Sequence, residues 1–162
     1  MTAGFVVAAL LSGCSSDKPA AKNDSILVEV NDEQRAAAEV AQKFLKAVLT
    51  YSNRTSDEDV KGLEYVDQAI HAGLKKQFAN YTQAVQEVGG KEKLPEVQDV
   101  KVVDVIPMPD KKAYIVNTIV TYNPNRLVMD EFTKVGTVVT FENNKWLITT
   151  VNFRNQLAPA KK

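Results

Sequence analysis

From residue 31 onward the hydrophobic period changes once, past Gly89-Gly90 and the link 91–96, and that change constrains the fold more than any other feature. Before it, apolar residues recur at helical steps. Val40, Ala41, Phe44, Leu45, Val48 and Leu49 line one face, which predicts a helix from Glu33 to near Tyr51. Asn31 or Asp32 can cap it, and acidic residues occupy its first turn, where the helix dipole favours them. The string Ser56-Asp57-Glu58-Asp59 has the form of a capping box and predicts a second helix, with Val60 and Leu63 on its apolar side. A third helix is expected over 67–78, with Ile70, Leu74 and Phe78 on one face, continuing through Tyr81 and Val85 to Val88. The glycine pair then stops it.

After the glycines the chain is rich in Val, Ile, Thr and aromatic residues, in four runs at 97–106, 112–122, 131–141 and 145–153. These read as strands. In the second run Tyr114, Val116, Val120 and Tyr122 fall on one face and Ile115 and Ile119 on the other. In the first, Val102-Val103 breaks the alternation and predicts a bulge. Asn143-Asn144 suits a tight hairpin turn, because asparagine tolerates positive φ. The fold class expected is α+β: N-terminal helices packed on a curved four-stranded antiparallel sheet, in one domain over 31–154. The tail 155–162 reads as frayed.

Composition removes several classes of function. The 162 residues are 44% hydrophobic and 25% charged, enough for a real core. Twenty basic residues balance twenty acidic ones, so the electrostatic footprint of a nucleic-acid binder is missing. One cysteine and one histidine argue against a disulfide framework and against a Cys- or His-based metal site, and neither a metal nor a cofactor is expected.

The one cysteine, Cys14, follows an apolar run over 4–11 that is too short to span a bilayer, which takes about 20 residues. Small residues lie between them. The string Leu11-Ser12-Gly13-Cys14 resembles the lipobox of bacterial lipoproteins. That resemblance implies that residues 1–13 form a lipoprotein signal peptide and that Cys14 is the lipidation site, its thiol carrying a diacylglyceryl group. It places the protein outside the cytoplasm, anchored to the cell membrane, or to the outer membrane of a Gram-negative cell. A signal peptide ordinarily opens with Lys or Arg, and residues 1–13 carry no charge. Residues 14–30 then form a lipidated tether. Its polar part, 15–25, buries too little apolar surface to order itself and reaches about 20 Å as a flexible chain. Ile26, Val28 and Val30 alternate at its end, as an edge strand or as chain docked on the domain.

Helices first, then four antiparallel strands closing on Asn144-Lys145-Trp146-Leu147-Ile148, resembles the nuclear-transport-factor-2-like (cystatin-like cone) superfamily over residues 33–153. That resemblance implies a curved sheet wrapped around a long first helix. Some members are cyclases or isomerases that use an Asp or an Asp–His pair within the cone. Others are extracytoplasmic parts of conjugation or type IV secretion machines. His71 is the candidate base, weighed against an ordinary surface or half-buried histidine. Tyr114, Tyr122, Phe141 and Trp146 are candidate pocket-lining residues, weighed against plain core packing. The function expected is non-enzymatic: a binding or assembly module at the cell envelope, with an envelope protein or a second copy as partner. The other readings are a small-ligand or peptide binder using the cone cavity and, more weakly, a cyclase- or isomerase-like enzyme.

Overall fold

The computed structural model describes residues 30–159. The signal-peptide and lipidation expectations, and the tether up to residue 29, lie outside the described residues. Helix α1, Asp32–Leu49, starts at Asn31, whose side chain accepts from the Gln34 amide while the Gln34 side chain accepts from the Asn31 amide. This reciprocal pair satisfies two of the donors that a helix start leaves open. One face of α1 buries Ala37, Ala41, Phe44, Leu45, Val48 and Leu49, as its periodicity requires.

The expected second helix does not form. Residues 54–60 instead wrap around Arg54, whose guanidinium donates to the carbonyls of Ser56, Asp57 and Asp59. Carbonyls aimed at a buried cation cannot serve a helix ladder. Asp59 turns back to accept from the Thr55 amide and hydroxyl. Gly62 then passes α1 with φ +88°, so close that a Cβ would lie 3.1 Å from the Phe44 ring. The expected third helix is also divided. A 3-10 turn, Gln68–Ile70, leads into α2, His71–Gln77, and α3 follows at Tyr81–Val88. The break falls where Phe78 turns into the core and Asn80 accepts from the Tyr51 hydroxyl at 2.7 Å. The Asp57 carboxylate caps α3 from outside by accepting from the Thr82 amide. Gly89, at φ +80°, ends α3 as its position in the sequence suggests.

The four strands are β1 Val97–Pro107, β2 Ala113–Tyr122, β3 Lys134–Glu142 and β4 Lys145–Asn152. They form an antiparallel sheet in the order β1-β2-β3-β4. The β1 register shifts between Val102 and Asp104, at the expected bulge. The β3–β4 hairpin turns through Asn143 and Asn144, both at positive φ. β3 starts later than expected, because Asp130–Phe132 forms a 3-10 turn that buries Phe132.

The helices cover one face of the sheet. Between them Phe44, Phe78 and Phe132 gather around Phe153, with centroid distances to its ring of 6.2, 5.0 and 5.7 Å. The tail is not frayed at its start. Leu157 folds back over the other face of the sheet, where the buried Asn117 donates to its carbonyl and accepts from its amide, both at 2.8 Å. Gly136 lies beneath, with room for no side chain: a Cβ there would sit 2.6 Å from the Leu157 nitrogen.

Candidate functional site

The two outer strands of the sheet are finished differently. On β1, two glutamines of α1 cover outward carbonyls: Gln42 donates to Val100 at 2.9 Å and Gln34 to Val105 at 3.4 Å. On β4 the cover is partial. Val66 makes one parallel bridge to Ile148, and the Asp67 amide donates to the Ile148 carbonyl at 2.8 Å. Past that point Thr149 is an extra residue in the ladder, and bonding to β3 resumes at Thr150. Val151, opposite Thr137, is therefore the next residue whose backbone points away from β3, and it has no backbone partner there among the described residues. Unpaired strand edges are templates for another strand.

Beside this open edge runs a groove of about 480 Å³. One wall is β4, from Thr149 to Val151 and on to Phe153; the other is the 3-10 turn and α2, with Ala69 and Ile70 from the turn and Gly73, Leu74 and Gln77 from the helix. Among the described residues no ionisable side chain lines it. Gly73 sits inside a helix, where glycine costs roughly 1 kcal/mol relative to alanine. Nothing lies within 4 Å of where its Cβ would be, so no packing contact in the domain requires a glycine there, and its missing side chain widens the groove.

A buried charge lies apart from the groove, beside the start of α3. Arg54 is 1% exposed, with its guanidinium carbon 4.8 Å from the Tyr51 ring centroid and 5.6 Å from that of Tyr81. It donates only to carbonyls and has no carboxylate partner among the described ion pairs. Its Nη1 atom has no hydrogen-bond partner among the described residues. Cation–π contact with two rings offsets part of the cost of burying the charge. Burial raises the Tyr51 hydroxyl above its ordinary pKa, with Arg54 opposing, and raises Tyr122 further. These are protonated, structural hydroxyls: Tyr51 donates to Asn80, and Tyr122 donates to the Phe132 carbonyl at 2.8 Å.

Three of the four aromatic residues singled out in the sequence come together. Trp146 lies 5.6 Å from Tyr114 and 5.1 Å from Phe141, and the Lys112 ammonium sits 4.2 Å over the Phe141 ring while pairing with Glu33 at 2.6 Å. Tyr114 is buried, whereas Phe141 and Trp146 are half-buried. Tyr122 is at the opposite end of β2, eight residues or about 27 Å away, and belongs to the Arg54 side of the core. His71 begins α2 with Nε2 3.1 Å from the Val66 carbonyl, a contact that ties the helix start to the preceding loop. Among the described residues no carboxylate faces it in a hydrogen bond. Among the described residues no group of three or more His, Cys, Asp or Glu side chains is placed to hold a metal ion, and no helix is long and apolar enough to cross a membrane.

The groove, the Arg54 cage and the Asn117–Leu157 clamp are not visible in the sequence reading. Only Asn117 had a signal, as a polar residue inside the apolar run Tyr114-Ile115-Val116-Asn117-Thr118-Ile119-Val120. No family model, no curated protein and no solved structure matches this chain.

Proposed function

We propose that this chain is a bacterial lipoprotein anchored through Cys14, and that its folded part is a non-enzymatic assembly module at the cell envelope. We read the α+β domain as a cone of the nuclear-transport-factor-2-like kind, the form used by extracytoplasmic components of conjugation and type IV secretion-like complexes. The observation that carries the assembly reading is the contrast between a filled interior and an open edge. Four phenylalanines meet where a ligand-binding cone needs space. The outer edge of β4, in contrast, keeps an unpaired backbone beside an uncharged groove. Extended segments recognise such edges through main-chain hydrogen bonds, with alternate side chains entering the adjoining pocket.

A photo-cross-linking residue introduced in place of Gln77, at the groove wall, tests this in cells. The expected result is a discrete cross-linked protein species that is missing when the same group replaces Lys101, on the other edge of the sheet. A Gln77 position that captures no protein contradicts the reading.

A further inference from the structure

We infer that the β4 groove receives, as a fifth strand, residues 25–30 of a second copy of this chain. The inference rests on the assembly reading and names its partner. Residues 25–30 read Ser-Ile-Leu-Val-Glu-Val, so Ile26, Val28 and Val30 share one face of an extended strand. β-branched residues favour that conformation. Laid along the open edge, this face meets Ile70 before α2 and Gly73 and Leu74 on it, and the strand's backbone meets the unpaired groups of Val151.

Charge selects the direction. α2 and β4 run the same way from the Val66–Ile148 bridge, so Lys76 and Arg154 are both at the far end of the groove. Both are exposed, and neither is in an ion pair among the described residues. A strand antiparallel to β4 brings Asp24 to that end.

The donor cannot be the chain's own segment. Val30 directly precedes the Asn31 cap, and Gln34 is held at Val105 on the opposite edge of the sheet. Val105, Val116, Thr137 and Val151 form one cross-strand row. Three strand spacings plus one more to the added position make about 19 Å, and an extended residue covers about 3.3 Å. Residues 25–30 are used up in crossing that distance and leave nothing to lie along the groove. A second copy, tethered to the same membrane, has no such limit.

The test uses the whole chain with Cys14→Ser, which leaves it without cysteine. One preparation also carries Val28→Cys and another Gln77→Cys; they are mixed and mildly oxidised. The expected product is a Val28–Gln77 cross-linked dimer in the mixture, well above the dimer formed by either preparation alone. A cross-link that forms within one chain carrying both substitutions at high dilution overturns the inference, as does no cross-link in the mixture. Sedimentation of the Cys14→Ser chain gives an independent readout. Val28→Asp, in the proposed donor segment, and Gly73→Met, which fills the groove, should each weaken self-association about tenfold or more. Val28→Asp should leave the thermal melt of the domain in place, and Gly73→Met, which replaces a helical glycine, should not lower it. Unchanged association in both variants overturns the inference. So does a Cys14→Ser chain that stays monomeric while the anchored protein carries a different partner, a result that leaves the assembly reading standing.

Discussion

Arg54 shows how one side chain can organise a loop that has no regular structure of its own. Its three carbonyl acceptors come from residues two to five positions further on, so the loop is folded around the guanidinium. The Arg54→Met variant keeps most of the volume and strands those carbonyls. It should lower stability by roughly 2–4 kcal/mol in a denaturant titration. Arg54→Lys should recover little of this, because an ammonium lacks the planar fork that reaches several carbonyls at once. Gly136 is the other residue whose identity is set by a neighbour. Gly136→Ala drives a methyl group into Leu157 and Asn117. The expected cost is about 1–3 kcal/mol, with the Leu157 amide losing its protection from hydrogen exchange. Trp146 is half-buried, so Trp146→Ala should cost less than the roughly 3–5 kcal/mol of a core tryptophan. A thermal melt measures it.

At the scale of elements, local signals and long-range ones fared differently. The first helix, the four strands, the β1 bulge and the Asn143-Asn144 turn were legible, because each rests on periodicity or on the backbone preference of a few adjacent residues. The Ser56 helix was misread for a definite reason. Asp57 and Asp59 do act as caps, but Asp57 caps α3, 25 residues away, and Asp59 caps the turn at Thr55. A capping residue announces that it will accept a hydrogen bond and not from which element. The Thr82 amide holds the Asp57 carboxylate below its ordinary pKa of 3.8, and Lys61 does the same for Asp59. Groups with depressed pKa stabilise the fold above the ordinary value, and that contribution is lost as pH falls through the folded value. Stability should therefore decline below about pH 4. Asp57→Asn keeps an acceptor oxygen without the charge and should flatten that decline in acid melts, with Asp59 supplying what remains. An acid limb as steep as that of the unmodified chain would contradict the capping role. The groove was illegible because 67 residues separate its walls, α2 and β4, which long-range contacts bring together: the Val66–Ile148 bridge at one end and the Phe78–Phe153 ring contact at the other.

At the scale of the molecule, the sheet has one edge where two glutamines of α1 cover outward carbonyls and one edge with a groove beside it, around an interior packed with aromatic rings. An anchor at Cys14 would keep the domain near a membrane on a tether whose polar part reaches about 20 Å, where other anchored chains are concentrated. Cys14→Ser should move the protein from the membrane fraction to the soluble fraction with its fold unchanged. A variant that stays with the membrane contradicts the anchor. Native mass spectrometry of the mature chain, gently extracted from its own membrane, tests the assembly claim most directly. The account predicts a stoichiometric protein complex, with a second copy of the chain as the partner. A monomer carrying only a small co-purifying mass would contradict it and point to a ligand-binding domain instead.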